Sequence, residues 1–436
     1  MANRRVIVVG AGAAGLTAAI RAAETGASVT LLNAHPRPGL KILMSGGTRC
    51  NVTHAQVSGR DFHGGSRNVV ARILRAFPVA QTLAWFQDDL GVPLKLEETG
   101  KYFPVSDDAQ TVLDALLGAC TRLGVAQRFG SRAVRLARGA AGWRVGLVHV
   151  ADSAALGAEA HAVGGGPDSW ALPAEVPGEW LEADAVVLAT GGLSFPRTGS
   201  DGTGYALARS LGHSIVPPAP ALTPLVAVDP MCAGAQGVTL EASLTLYVDG
   251  KRAAEASGSL LFTHFGLSGP AALDLSRHWH QADGKGRRVT MSFAPGVAAD
   301  TVEADWLDFA TRFPRRGLRA WLGEALPGRI ADILTAESGL GGAALSQVLR
   351  DRRVRMIAAL LARDVGVTGT LGYEKAEVTA GGVSLSEVGA SSLESRLAPG
   401  LWLCGEVLDV EGRLGGFNFQ WSWSSGTVAG RAAALK

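Results

Sequence analysis

Gly10, Gly12 and Gly15 fall in a G-x-G-x-x-G spacing, after the apolar run "VIVV" and before a stretch whose Leu16, Ala19, Ile20 and Ala23 recur at helical spacing. Strand, glycine turn and helix in that order are the setting in which this spacing binds a dinucleotide. Each glycine has its own task. Gly10 permits the tight turn, Gly12 lets the backbone approach a pyrophosphate, and Gly15 lets helix and strand pack closely. The first amides of the helix, at Ala13 and Ala14, then face the phosphates. The following strand, "SVTLL", ends at Asn33 and Ala34, where such a site usually carries an acid for the adenosine ribose. An amide keeps one acceptor and adds donors, but gives up the stronger charge-assisted bond. The missing carboxylate also removes one argument against NADP, because it would have repelled a 2′-phosphate.

Three later stretches decide which dinucleotide is expected. "KILMSGGTRCN" (41–51) sets Lys41 ahead of Ser45 and Gly46, with Arg49, Cys50 and Asn51 behind, a flexible loop able to lie against a flat ring or a diphosphate. "VVLATGG" (186–192) reads as a buried strand ending at Thr190 and Gly191. "LCGEVLDVEGRLGGFNFQWSWSSGTVAG" (403–430) ends a strand at Gly405-Glu406, then passes Gly415 and Gly416 into a helix starting near Asn418. Helix N-termini carry positive potential, and a reduced flavin gathers negative charge at N1 and O2. FAD is long, so late segments are needed to enclose it. One dinucleotide fold that recruits the C-terminal segment therefore suits FAD better than a nicotinamide.

These stretches must be held by a larger framework. Residues 5–32 read as a βαβ unit with continuous apolar strands, which points to a parallel sheet covered on both faces. Helical patterns follow at 67–77, 80–90 and 108–123, and "RAVRLARGAAGWRVGLVHV" reads as two antiparallel strands about a glycine turn. Residues 151–179 read as an Ala-, Gly- and Pro-rich surface excursion, and 183–190 returns to the sheet. The expected organisation is an FAD-binding domain in two segments, 1–213 and 371–436. Between them lies an inserted domain, 214–370, β-rich over 214–298 and helical over 299–370.

The 436 residues exceed one compact unit, and about 150 residues per domain suggests two or three. A hydrophobic fraction of 47% with 18% charged residues fits a globular chain with a substantial core. The formal net charge of +2 gives no bulk attraction to nucleic acid or to a membrane surface. Two short basic runs, "FPRRGLR" (313–319) and "RDRRVR" (350–355), read as solvated helix faces. Cys50, Cys120, Cys232 and Cys404 are scattered, without metal-type spacing, so no metal is expected and free thiols in a reducing cytoplasm are. Two arginines ahead of "VIVV" mimic a signal peptide, but the strand–turn–helix periodicity argues against one, and no apolar run reaches spanning length.

The motifs "SGGTRCN", "ATGGLSFPRTGSDGTGY", "FTHFGLSGPAALDLS", "EVTAGGVSL" and "GEVLDVEGRLGGFNFQWSWSSG" cover nearly the whole chain. In this order they resemble the BaiN-like family of FAD-dependent oxidoreductases, also labelled the aminoacetone oxidase family. The resemblance implies an α/β fold: a Rossmann-like FAD domain of the glutathione-reductase type, interrupted by an insert with an antiparallel barrel-like part and a helical part. It places Gly10, Gly12, Gly15, Arg49, Cys50, Thr190, Gly191, Gly405, Glu406, Gly416 and Asn418 at FAD-contacting positions. Ala13, Ala14, Asn33, Ala34, Lys41, Ser45, Gly46, Asn51, Val134 and Gly415 complete the expected cofactor set. Two departures from the family stand out: Asn33 for the usual acid, and Thr48 where members commonly carry a third glycine.

A flavin exchanges hydride at N5, and the protein supplies orientation and electrostatics. His264, in "LLFTHFGLSGP", is the candidate for orienting a substrate or passing a proton. Tyr373 and Glu374, before "AEVTAGGV", are candidates to line the active site, with a satisfied junction pair as the alternative. Arg49 is expected on phosphate or backbone, Cys50 as a packed, unreactive thiol, and Trp421 and Trp423 as packing of the last helix. Asn418 is expected near the pyrimidine edge of the flavin. The family offers two precedents of opposite direction, reduction of a conjugated enone in a steroid-like acid and oxidation of a small amino ketone by oxygen. With no second nucleotide fold, NAD(P)H would visit the flavin only transiently. The expected partner is a small organic molecule rather than nucleic acid or membrane. Two other readings stand beside it: an RNA-modifying flavoprotein, which calls for a basic groove and an activated cysteine, and a redox-inert flavin scaffold.

Overall fold

The apolar run at the start of the chain forms strand β1 (Arg5–Val9), continued by helix α1 (Ala13–Glu24) and strand β2 (Ser28–Asn33). This is a computed structural model, and it describes residues 3–139, 142–150, 170–282 and 286–435. The excursion expected over 151–179 lies largely outside them. The chain divides into two compact units, 1–220 with 377–436, and 221–376.

In the first unit five strands run parallel in the order Leu401–Leu403, Ala185–Leu188, β1, β2, Ala126–Phe129. Val6 to Val9 and Ala185 to Leu188 are at most 5% exposed. Side chains of a parallel strand are covered on both faces, which is why these segments are apolar throughout instead of alternating. Helix α1 and the last helix, Phe417–Leu435, pack side by side. A Cβ on Gly426 would stand 2.5 Å from the Ala14 carbonyl oxygen, and one on Gly430 would stand 2.3 Å from that of Ala18. Matching offsets of four residues on both helices mean that the helices run parallel, with glycine facing alanine. A three-stranded antiparallel sheet, Ser131–Gly139, Gly142–His149 and Glu179–Ala183, extends the expected hairpin by one strand.

The inserted unit is built on a seven-stranded antiparallel sheet covered by helix Pro270–Gln281. Its edge strands, Arg363–Asp364 and Val367–Thr370, are consecutive in the chain, linked through Gly366 at φ +57°. The sheet therefore curls until its edges follow one another, yet no ladder joins them: the barrel-like part is an open sheet. Helices Ala299–Arg312, Leu318–Ala325, Gly328–Ser338 and Arg350–Leu361 follow around Trp306, Phe309, Trp321 and Leu334.

The boundaries fall six or seven residues later than 214 and 370. The cause is local. Strand Ile215–Ala221 pairs with Val378–Val383, so both crossings of the chain are tied into a two-stranded ribbon that counts mainly with the first unit. The helical run 67–89 is long and apolar enough in composition to cross a membrane, which the sequence reading missed. It is interrupted at Phe77–Pro78, and Val70, Ile73, Leu74, Phe77, Trp85 and Phe86 are buried in the unit.

Candidate functional site

Gly10 takes φ +108°, and a Cβ there would stand 2.4 Å from the Ala189 carbonyl oxygen, where the "VVLAT" strand crosses. Gly15 is held just as tightly: its Cβ would lie 1.7 Å from the Gly10 carbonyl oxygen. Gly12 differs. Its φ of −86° suits any residue, and a Cβ there would meet nothing within 4 Å. The protein alone gives no reason for glycine at position 12; open space at the head of α1 does. That helix start has no side-chain cap, so its first amides face the same space.

Asn33 turns toward this turn. Its Oδ1 accepts from the Ala11 N–H at 3.0 Å, and its Nδ2 donates to the His35 carbonyl at 2.6 Å. The amide first braces the glycine loop, a role that the expectation of a free ribose anchor did not include. An aspartate would keep the Ala11 bond through one oxygen and offer the other, charged, to a ribose. Asn33→Asp is expected to leave FAD affinity unchanged or raise it by up to about tenfold, the scale of one charge-assisted bond. Titration of apoprotein with FAD by fluorescence quenching checks this, and a clear loss of affinity would show that the His35 contact matters more.

Lys41 and Glu406, far apart in sequence, meet. Lys41 Nζ stands 2.9 Å from Glu406 Oε2 and donates to Ser194 Oγ at 2.7 Å. Ser194 Oγ donates to Glu406 Oε1 at 2.8 Å, and the Thr379 N–H donates to the same oxygen at 3.0 Å. Thr379 Oγ1 in turn accepts from the amides of Leu193 and Ser194. The network ties the loops after three strands together beside Gly191 and Gly192. Ser194 and Thr379 were missed from sequence, since a lone hydroxyl carries no spacing signal. The Thr190 hydroxyl is buried without a protein partner. Val134, fully buried, sits at a register shift of its hairpin, which takes its backbone out of the ladder; its carbonyl accepts from Arg135 at 2.7 Å.

Two residues expected at the cofactor, Arg49 in the 41–51 loop and Asn418 at the head of the last helix, have protein partners in the structure. Arg49 is not held for phosphate: its Nη1 pairs with Glu97 at 2.6 Å and Asp107 at 3.4 Å, and its guanidinium lies over Phe103. Glu97 balances its charge, while Asp107 is shared with Lys95. Asn418, expected at the flavin's pyrimidine edge, is bonded through both ends of its amide to the backbone of Gly412, at 2.7 and 2.9 Å. It shapes the turn into the last helix. Cys50 is the packed thiol that was expected, fully buried and pushed up to about 12 by desolvation. Asn51, oriented to satisfy both partners, accepts from the Gly416 N–H at 3.0 Å and donates to the Thr53 carbonyl at 2.9 Å. Ser45 Oγ donates to the Ile42 carbonyl.

Gly46, Gly47 and Thr48 run consecutively through left-handed backbone, with φ of +56°, +66° and +69°. A β-branched residue there is strained. Thr48→Gly is expected to stabilise the protein by about 1 kcal/mol, read as a higher melting temperature; an unchanged or lower value would place the strain elsewhere.

The last helix is anchored by groups that periodicity did not mark. Gln420, completely buried, accepts from Thr53 Oγ1 at 2.7 Å and donates to Phe77 O, Thr82 Oγ1 and Ser424 Oγ. Trp421 donates to the Gly405 carbonyl and Trp423 to that of Val52, so both are core residues. With Gly426 against Ala14, the head of this helix projects beyond the head of α1 by roughly 12 Å, at 1.5 Å per residue. Two parallel helix heads, offset along one direction, present positive ends to a long ligand. In the inserted unit, His264 is exposed on the turn between Lys251–Thr263 and Gly266–Ser268, its ring against Phe265. Tyr373 and Glu374 lie on a turn held by Leu371 to Pro224 and Thr223 to Gly372, and burial pushes the Tyr373 phenol above its ordinary value.

The open space at Gly12 and the paired helix heads fit an FAD, and this is the fold and site of an FAD-binding Rossmann oxidoreductase. The chain belongs to the HI0933-like protein Rossmann domain family, whose model matches residues 4–173 and 172–432. It is 32% identical over 435 residues to the 3-dehydro-bile acid delta(4,6)-reductase of Clostridium scindens, spanning 99% of both chains. It is 31% identical over 424 residues to the ribosomal RNA dihydrouridine synthase of Escherichia coli, spanning 96% of this chain and 95% of that one. The Haemophilus influenzae protein of the same name is 28% identical over 421 residues, 96% of each chain.

Proposed function

We propose that this chain reduces a carbon–carbon double bond conjugated to a carbonyl, with NAD(P)H as the transient source of electrons. The observation that supports this reading is the chemistry shared by its full-length relatives. A 3-dehydro-bile acid unsaturated at positions 4 and 6 and a uracil ring both present a C=C in conjugation with a carbonyl. FAD, when bound, would supply hydride to an electron-poor carbon of the conjugated system, and a proton from the protein or solvent would complete the reduction. The chain's own residues do the rest. Amides at the heads of α1 and the last helix hold anionic parts of the cofactor, and the Lys41–Ser194–Glu406–Thr379 network sets the loops around it. His264, Tyr373 and Glu374 are the proposed groups for substrate orientation and proton delivery. Of these, the Tyr373 phenol carries a proton at neutral pH and is the proposed donor.

The test separates the half-reactions. FAD-loaded protein is reduced anaerobically with NADH or NADPH in a stopped-flow instrument, then mixed with an enone bile acid, a uridine-containing RNA, or oxygen with an amino ketone control. Rapid reoxidation by either unsaturated carbonyl supports the proposal. Reoxidation by oxygen alone, with turnover of the amino ketone, overturns it in favour of an oxidase. Tyr373→Phe is expected to slow reoxidation by the unsaturated substrate at least about tenfold while leaving reduction by NAD(P)H unchanged. Equal loss in both halves would remove Tyr373 from the proton step.

A further inference from the structure

The basic runs at 313–319 and 350–355 look unrelated in sequence, but within the inserted unit the first is joined to the segment that leads into the second. The Arg316 carbonyl accepts from the Leu345 N–H at 2.9 Å, Ser346 Oγ donates to the Pro314 carbonyl at 2.8 Å, and Gly317 bridges to Ala344. Four residues further on, helix Arg350–Leu361 begins, fastened to helix Ala299–Arg312 by the Arg353–Glu303 pair at 2.9 Å. Arg315, Arg316, Arg350, Arg352 and Arg355 are exposed, and among the described residues none has a carboxylate partner. Of the acids on the neighbouring helices, Asp308 pairs with Arg312, Asp332 with Arg319 and Glu303 with Arg353, while Asp300, Asp305, Glu324 and Asp351 have no arginine partner among the described residues. Phe313, 37% exposed, has the Phe309 ring at 4.9 Å and the Arg312 and Arg316 guanidiniums at 5.4 and 5.6 Å from its ring centre.

We propose that this surface docks RNA, its arginines on phosphates and Phe313 under an unstacked base. Charge complementarity carries the argument: five unneutralised guanidiniums on two joined segments match a run of phosphodiesters. The exposed ring favours a single-stranded or looped segment over a closed duplex, whose bases are already stacked. A membrane surface fits less well. Helix Arg350–Leu361 commits Met356, Ile357 and Leu360 to the core, and only Leu349 and Val354 remain exposed, too little to insert as an apolar face. The net charge of +2 concealed this patch because carboxylates elsewhere in the chain offset it. The choice of RNA over another polyanion rests on the uracil arm of the proposed function, but the measurement needs no turnover, so the two fail separately.

The experiment is equilibrium binding of a labelled RNA hairpin with a uridine-rich loop to the FAD-loaded full chain across a salt series. Binding should weaken with salt at a log–log slope of roughly −3 to −4, as expected for four or five neutralised phosphates. In R316A/R350A/R352A the slope should shrink by about 2 to 3, with affinity at least about tenfold lower at low salt. Phe313→Ala should weaken binding with the slope unchanged, since stacking releases no counterions. FAD content and melting temperature of these surface variants should match the parent, which separates lost docking from lost folding. Equal RNA binding by parent and triple variant, or no salt-dependent binding by the parent, overturns the proposal. So does stronger binding to phosphatidylglycerol vesicles that RNA fails to displace, an outcome that would assign the surface to a membrane.

Discussion

Replacing Gly12 with valine is expected to yield a folded protein that purifies without yellow colour. The backbone at Gly12, φ −86° and ψ −171°, is ordinary for valine, and a Cβ there would meet no atom of the protein within 4 Å. The apoprotein therefore pays little for the change, about 1 kcal/mol for an apolar residue at a helix N-cap. The branched side chain instead fills the space at the helix head through which the backbone must approach a pyrophosphate. A loss of at least about 3 kcal/mol in FAD binding, a hundredfold or more, should follow. Equilibrium dialysis with FAD and a melting curve of the apoprotein read the two effects apart. Gly15→Ala gives the contrast, because its Cβ would stand 1.7 Å from the Gly10 carbonyl oxygen and must disturb the βα turn even without ligand. A fully loaded Gly12→Val protein would remove the pyrophosphate from this loop.

Gly430→Ala should cost about 2–4 kcal/mol of stability, at the upper end of what overpacking costs. The added methyl would lie 2.3 Å from the Ala18 carbonyl oxygen and 2.8 Å from its Cα. Both are backbone atoms, so no rotamer change relieves the contact; the last helix has to move off α1. That displacement also carries the head of the helix away from its place beyond α1, so FAD affinity should fall together with stability. Gly342→Ala is the matched control, since a Cβ there meets nothing within 4 Å. Thermal denaturation of the three proteins decides the matter; a Gly430→Ala protein as stable as the control would mean the two helices are less closely packed than their glycines indicate.

Much of this site was legible before any coordinates because its physics is local. The βα turn needs glycine at three fixed offsets from a strand end, and Gly10 and Gly15 are explained by atoms within the same turn or the crossing strand. Cys50 was expected as a packed thiol because no resolving cysteine lies nearby in sequence, and the structure buries it completely. Roles that depend on a partner distant in sequence were not legible. Arg49 was expected on phosphate or backbone, but Glu97 from a hairpin turn and Asp107 from the connection into the next helix, some fifty residues later, pair with it. Asn418 was expected at a ring edge, and Gly412 takes both ends of its amide. Ser194, Thr379 and Gln420 carried no spacing signal at all.

From the order of residues alone follow the glycine turn, the buried parallel strands and the family, because periodicity and short-range sterics act between neighbours in the chain. Which loops Glu406 and Lys41 join, where the insert begins, and that two short basic runs lie on joined segments were decided only by folding. Each of those depends on groups brought together across a hundred residues or more, or on which charges find a partner and which are left facing water.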